Sequence, residues 1–352
     1  MQSLIAQWHG EAVVTAYDEP TGTWIFIAIH DTTLGPAMGG CRMNVYSSPE
    51  EGLRDAMRLA EGMTYKWATI GFELGGGKSV LAVPRPLQGR DREGLLERFG
   101  RLVALLRGAY ACGPDLGTTP QDMVVIARET QFVHGGARDG RTLDPGPYTA
   151  LGTFTGIRAA LGHLFGEPDV AGRTVLVQGI GDVGVPLSRM LTDAGAHVLL
   201  TDTVAGRAEE VARDLGGEVI APELAYSTVC DVYAPCAVGA TLNQETIPTL
   251  QCRIVAGCAN NQLAQDQDAE RLHARGILYA PDYVINAGGA TALPLLDRGD
   301  HTEEQIRERI RGFEVVLGEI FSEAAERDES PLRAAARRVE RVLAKKQQSK
   351  GQ

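Results

Sequence analysis

The chain has 352 residues, 44% of them hydrophobic and 22% charged, with a formal net charge of −11. That length suits about two domains with full apolar cores, and the acidic balance argues against nucleic acid or an anionic membrane as the main partner. No run approaches a membrane span, and Met1–Gly10 lacks the basic-then-apolar pattern of a secretion signal, so a cytoplasmic globular protein is expected.

Strand signals open the chain at Val13–Ala16 and Trp24–Ile29, split by the turn-like Asp18–Gly22. A helix is expected from Ser48, with Pro49 in its first position, Glu51 completing a capping box, and an end close to Lys66. Three consecutive glycines, Gly75–Gly77, lead into a strand at Ser79–Val83, and Glu93–Arg107 reads as an amphipathic helix. From Gly152 the rhythm changes. Helix Phe154–Leu164, strand Thr174–Gln178, helix Val183–Ala194 and strand His197–Asp202 alternate, and further strands are expected at Val229–Ala234, Arg253–Gly257 and Ile277–Ala280. Short apolar strands alternating with helices predict a doubly wound, parallel α/β sheet.

The boundary is therefore placed at Asp144–Pro147, with residues 1–145 forming an α/β substrate domain and 146–330 a Rossmann-type domain. Thr302 and Gln305 cap a long helix striped by Ile306, Ile310, Phe313, Leu317 and Ile320. A last helix, 331–352, carries seven basic residues against the single acid Glu340. It is expected to pack on the acidic body or on a neighbouring subunit. Six cysteines are too few for a disulfide scaffold, and the C-x5-C spacings at Cys230/Cys236 and Cys252/Cys258 do not suit zinc, so reduced buried thiols and no metal are expected.

Glycine is abundant, 42 of 352, and clustered. The cluster Gly179-Ile-Gly181-Asp182-Val183-Gly184 follows a strand and opens a helix. The first glycine permits the tight turn, the second lets backbone approach a pyrophosphate, and the third packs helix on strand. Asp202 closes the next strand, where a carboxylate can hold the ribose hydroxyls and repel a 2′-phosphate. No arginine follows until Arg207, so NAD is preferred to NADP. Gly75-Gly-Gly-Lys78-Ser79 imitates an ATP phosphate loop, but Phe72 stands where that motif needs glycine and a strand follows where it needs a helix.

Lys66 and Lys78 lie in apolar, glycine-rich surroundings. Either one alone reads as a solvated side chain. In a partly closed cleft, one charged lysine can fix an anion while a second, neutral one takes a proton. Asp115 follows in a loop expected between helix-like segments, where an aspartate is commonly a turn or cap residue.

Seven separated motifs then give the chain a resemblance. They are Gly35-Pro-Ala-Met-Gly-Gly-Cys-Arg42, Met63-Thr-Tyr-Lys66, Gly75-Gly-Gly-Lys78, Pro114-Asp-Leu-Gly-Thr-Thr119, Thr149-Ala-Leu-Gly152, Gly257-Cys-Ala-Asn-Asn-Gln262 and Asn286-Ala-Gly-Gly289. With the glycine fingerprint, and in this order over Leu34–Gly289, the chain resembles the leucine, phenylalanine and valine dehydrogenases of the amino-acid dehydrogenase superfamily. The resemblance implies reversible NAD-dependent oxidative deamination of an L-amino acid to its 2-oxo acid and ammonia. It implies that Lys66 binds the substrate carboxylate with Asn261 as a second contact, that Lys78 is the general base, and that Asp115 transfers protons. Gly39 and Gly40 would line the substrate pocket, and Thr149 and Asn260 the nicotinamide side. Ala237 and Asn286 complete the candidate cofactor contacts. The resemblance also implies a homo-oligomer whose C-terminal helix crosses back to the first domain.

Glutamate enzymes of that superfamily carry lysine just before the paired glycines, and here the position is Met38. An apolar side chain cannot pair a carboxylate, so an apolar substrate is expected. Met38, Gly113, Ala290 and Leu293 are the expected pocket walls. Gly113-Pro-Asp is similar to the phenylalanine enzymes and Leu116-Gly-Thr-Thr to the leucine enzymes, which leaves the preferred amino acid open. The alternatives are a glutamate dehydrogenase and a catalytically silent NAD(H)-binding homologue.

Overall fold

The computed structural model describes residues 1–138, 141–142 and 144–350, so Gly351 and Gln352 of the expected last helix lie outside the described residues. The chain divides into two compact units: Met1–Asp144 with the chain from Val339 onward, and Pro145–Arg338.

The first unit contains α1 (Gln2–Gln7), β1 (Ala12–Asp18), β2 (Thr23–Asp31), β3 (Ala37–Val45) and α2 (Pro49–Thr69). Then come β4 (Gly75–Val83), α3 (Gly89–Leu105), β5 (Tyr110–Pro114), α4 (Pro120–Ala127) and a short pair, β6 (Ala137–Arg138) with β7 (Arg141–Thr142). Five strands form a mixed sheet in the order β1-β2-β4-β3-β5, with β3 parallel to both its neighbours.

Side chains alternate across this sheet, and the alternation sorts two cores. Ile25, Ile27, Ile29, Leu81 and Val83 pack with Leu95, Phe99 and Ile126 of α3 and α4. Phe26, Ala28, Val80 and Ala82 pack with Leu53, Met57 and Ala60 of α2. Each fully buried large side chain contributes about 1.5–3 kcal/mol, so both faces of the central strands hold the sheet in register. By the same alternation Lys78, two residues before Val80, falls on the α2 face.

Several expectations change here. Gly75–Gly77 lie inside β4, every residue of which is buried, and do not merely lead into it. A glycine-rich strand is tolerated there because neighbours approach too closely for side chains: a Cβ on Gly77 would stand 2.8 Å from the Tyr110 ring. Strands β3 and β5 were not anticipated, and Asp115 directly follows β5 instead of joining two helices. Helix α2 runs on to Thr69. Its Ser48 cap accepts from the Glu51 N–H, but the Glu51 carboxylate accepts from Ser47 and not from Ser48, so only half of the capping box forms.

The second unit begins with α5 (Gly146–Phe165), which starts well before the expected Phe154. Then follow β8 (Thr174–Gln178), α6 (Gly184–Asp193), β9 (His197–Thr201), α7 (Arg207–Leu215), β10 (Glu218–Val219), β11 (Val232–Pro235), β12 (Ile254–Val255), α8 (Gln267–Ala274) and β13 (Leu278–Tyr279). The sheet is parallel throughout, in the order β10-β9-β8-β11-β12-β13. The chain moves outward from β8 in one direction, returns, and moves outward from β11 in the other. This is the Rossmann order, with its switch point between β8 and β11.

Val175, Val177 and Val232 pack with residues of α5, α6 and α7 on one face, and Leu176 and Tyr233 with α8 on the other. The doubly wound α/β sheet is thus as expected, although β11, β12 and β13 are shorter than their apolar runs suggested.

Helices α9 (Asp282–Ile285), α10 (Gly288–Arg298), α11 (Glu303–Arg311), α12 (Phe313–Arg327) and α13 (Pro331–Lys350) complete the chain. The long helix expected from Thr302 is two, broken at Gly312, where a residue of low helix propensity weakens the continuation. Its cap at Thr302 and Gln305 is a full capping box. In α13, Arg338 pairs with Glu319 at 2.6 Å and Lys346 with Glu73 at 2.8 Å, exposed pairs worth at most about 1 kcal/mol each. The cysteines are free thiols, five buried and Cys236 half-buried. Among the described residues, no helix is long and apolar enough to cross a membrane, and no group of three or more His, Cys, Asp or Glu side chains could hold a metal.

Candidate functional site

In the first unit, the sheet gathers the predicted residues around one carboxylate. Register sets Gly40 of β3 opposite Gly113 of β5, and Met38 opposite both Gly76 and Ala111. Lys78, on β4, donates its ammonium to Asp115 Oδ2 in a short ion pair. A Cβ on Gly40 would stand 2.7 Å from the Asp115 Cβ, so only glycine lets the aspartate lie against β3. Burial opposes ionisation of Asp115, but the Lys78 and Arg42 charges outweigh it and hold the carboxyl well below the usual carboxylate range.

Lys66 is half-buried in the last turn of α2. Its neighbour Trp67, 1% exposed, donates from Nε1 to the Met38 carbonyl at 3.0 Å and so ties that turn to β3. Met38 is itself buried.

Sequence reasoning missed the other side of this cluster. Arg42 donates from Nε to Asp115 Oδ1 at 2.8 Å and from Nη1 to Asp55 Oδ2 at 2.9 Å. Tyr46 and Arg58 also donate to Asp55, and Thr118 Oγ1 accepts from the Asp115 N–H. The signal available was Arg42, a cation two residues after paired glycines. Its carboxylate partners lie far away in sequence, and only β3, β5 and α2 together bring them in.

In the second unit, Gly179 turns at φ +100°, and a Cβ there would stand 2.6 Å from that of Ala237. The fingerprint after β8 and Ala237, two residues after β11, therefore meet at the switch point, where parallel sheets bind their ligands. A Cβ on Gly184 would strike the Gly179 carbonyl at 2.0 Å, while the same atom on Gly181 would meet nothing within 4 Å. Open backbone at Gly181, beside Asp182, Val183 and the first N–H groups of α6, fits a pyrophosphate.

Asp202 directly follows β9. Its two oxygens accept from the N–H groups of Ile180 and Val204, each at 2.8 Å. Burial raises its pKa, but those backbone donors and Arg207 together hold it below the ordinary value. Arg207 Nη1 stands 3.5 Å from Asp202 Oδ2, a proximity that the sequence spacing did not suggest.

The remaining candidates in this unit form two small groups. Asn286 donates to Asn260 Oδ1 at 2.8 Å, and Thr149 Oγ1 accepts from the Gly289 N–H at 3.1 Å. Asn261 takes a left-handed φ of +52°, and its carbonyl accepts from Ala240, so its backbone is a turn. Ala290 and Leu293 lie on α10, three positions apart, in the second unit. Met38 and Gly113 belong to the first.

A glycine turn at the switch point of a parallel sheet fits a dinucleotide, and a buried lysine–aspartate pair beside a second sheet fits proton transfer, the two parts that a nucleotide-dependent dehydrogenase needs. Residues 18–132 match the Glu/Leu/Phe/Val dehydrogenase dimerisation domain, and residues 201–351 the Glutamate/Leucine/Phenylalanine/Valine dehydrogenase domain. The chain is 41% identical to a leucine dehydrogenase of Bacillus subtilis, over 94% of this chain and 90% of the relative. It is 39% identical to a phenylalanine dehydrogenase of Caldalkalibacillus thermarum, over 96% and 92%. The crystal structure of L-tryptophan dehydrogenase from Nostoc punctiforme superposes with a TM-score of 0.85 at 38% identity, covering 99% of both chains. The chain belongs to the leucine/phenylalanine/valine dehydrogenase family, and it is a pyridine-nucleotide-dependent amino-acid dehydrogenase.

Proposed function

We propose that this enzyme catalyses the reversible, NAD-dependent oxidative deamination of an apolar L-amino acid to its 2-oxo acid and ammonia, as a cytoplasmic homo-oligomer. The buried Lys78–Asp115 pair, with glycine backbone closed against it, carries this reading. Relatives named as leucine, phenylalanine and L-tryptophan dehydrogenases support the apolar substrate. So does the buried thioether at Met38, which offers no partner to a side-chain carboxylate.

In this reading Lys66 holds the substrate carboxylate, and Met38, Gly39, Gly40 and Gly113 contact the rest of the amino acid; Asn261, Ala290 and Leu293 are substrate contacts on the strength of the family resemblance alone. Lys78, after its ammonium has given up a proton, takes one as the neutral amine from the water that attacks the imine carbon, and Asp115 passes protons to and from the amino nitrogen. Gly179, Gly181, Asp182, Val183 and Gly184 hold the pyrophosphate and Asp202 the ribose, while Ala237, Thr149, Asn260 and Asn286 border the nicotinamide. The bound nucleotide supplies the hydride acceptor.

A panel of L-amino acids assayed with NAD and NADP, read as absorbance of the reduced nucleotide, tests the substrate and the nucleotide together. Leucine, valine, phenylalanine or tryptophan should exceed glutamate in kcat/KM, and NAD should exceed NADP. Preference for glutamate would overturn the substrate assignment.

Asp202→Ala provides a sharper test of the nucleotide. Removing a charged hydrogen-bond acceptor worth about 1.5–3 kcal/mol should weaken NAD binding roughly ten- to hundredfold. It also releases Arg207 from its carboxylate, so relative use of NADP should rise. Unchanged affinity for both nucleotides would require a different ribose contact.

A further inference from the structure

We infer that Arg42 is the positioning residue of this site: it holds the Asp115 carboxylate at the angle from which the second oxygen faces Lys78. This rests on the proposed role of Asp115 in proton transfer.

Asp115 divides its two oxygens between two cations. Oδ2 receives Lys78 from β4, and Oδ1 receives Arg42 Nε from β3 at 2.8 Å. The Asp115 main chain is held separately, by Thr118 Oγ1 at 2.9 Å, so rotation of the carboxylate is governed by the two cations. Arg42 is anchored in turn. Its Nη1 reaches Asp55 Oδ2 at 2.9 Å, and Asp55 receives Tyr46 Oη at 2.7 Å and Arg58 Nη2 at 2.8 Å.

The outcome is a row of alternating charges, Lys78, Asp115, Arg42, Asp55 and Arg58, that crosses from β4 through the loop after β5 and β3 to α2. The guanidinium suits the middle of this row for two reasons. Its planar fork reaches two carboxylates at once, and it keeps its proton at any working pH, so proton traffic stays on Lys78 and Asp115. Lysine at position 42 would preserve the charge but lose the fork. The remaining titratable neighbour on β3 is Cys41, whose thiol burial pushes up to about 12, leaving it neutral beside the row.

Steady-state deamination by the full chain, with kcat and KM measured separately for the preferred amino acid and NAD across pH, tests the inference in Arg42→Lys, Arg42→Met, Asp55→Asn and Asp115→Asn. Misplacing a reacting group by about 1 Å costs on the order of 10²-fold, and Arg42→Lys should lose about that much in kcat with KM nearly unchanged. Asp55→Asn, which keeps Asp115 paired and should fold normally, should lose less in the same direction. Arg42→Met removes a positive charge beside the Lys78–Asp115 pair, so its protons are held more tightly and the rising limb of the kcat–pH profile should move to higher pH. Loss of folded protein alone would leave that limb in place.

Collapse of Asp115→Asn with wild-type kcat and an unmoved pH limb in the Arg42 and Asp55 variants would overturn the inference alone. Wild-type kcat in Asp115→Asn would overturn the role of Asp115 and this inference with it.

Discussion

Replacing Lys78 with alanine should reduce deamination by about 10²- to 10⁴-fold in kcat, the range lost when a positioned general base is removed. Lys78 is 4% exposed on β4 and ion-paired with Asp115, so water cannot easily substitute for it. The variant should still fold, because Asp115 keeps Arg42 at 2.8 Å and both neighbours of Lys78, Gly77 and Ser79, stay in the sheet register. Binding of the reduced nucleotide, followed by fluorescence titration, should be unchanged, since the glycine turn and Asp202 belong to the second unit. A kcat within a few-fold of wild type would remove Lys78 from the chemistry and leave the pair a structural salt bridge.

Trp67→Ala is expected to have the largest effect on stability. The indole is almost fully buried, packs with Phe72 at a centroid distance of 5.4 Å, and bonds the Met38 carbonyl. Truncating a buried aromatic costs about 3–5 kcal/mol, a large part of the stability of an ordinary domain. Trp67→Phe keeps most of the packing but leaves the Met38 carbonyl without that donor, for about 1–3 kcal/mol. Urea unfolding of both variants separates the terms: equal losses would mean that the indole N–H carries the effect and the packing does not. Substrate KM should rise in the alanine variant as well, because Trp67 adjoins Lys66 and secures Met38.

Local signals were sufficient wherever the structure depends on neighbours in the chain. Strand Thr174–Gln178 has the bounds read from its apolar run, and Gly179 takes the positive φ that its place in the fingerprint requires. Thr302 and Gln305 form the full capping box. Lys78 and Asp115, which taken alone read as a solvated lysine and a turn aspartate and gain roles only through the family resemblance, touch. Local reading fell short where distant segments override propensity. Strand β3, with Gly39 and Gly40 in its middle, has little strand character of its own. It is a strand because β4 and β5 flank it on both sides. The expected long helix after Thr302 divides at Gly312 for a local reason, the low helix propensity of glycine, which the unbroken apolar stripe conceals.

What local spacing determines is therefore the alternation of strand and helix in the second unit and the glycine turn after β8, since each follows from a few consecutive residues. The tertiary structure decided which charges share a carboxylate. Arg42, Asp55 and Asp115 are up to 73 positions apart in the chain, and a contact of 2.8 Å between such residues exists only after β3, β5 and α2 have packed. It likewise placed Arg207 beside Asp202 and Ala237 against Gly179. Long-range ion pairs and close backbone approaches have no periodicity to read, because their geometry is set by the sheet order, which no local pattern encodes.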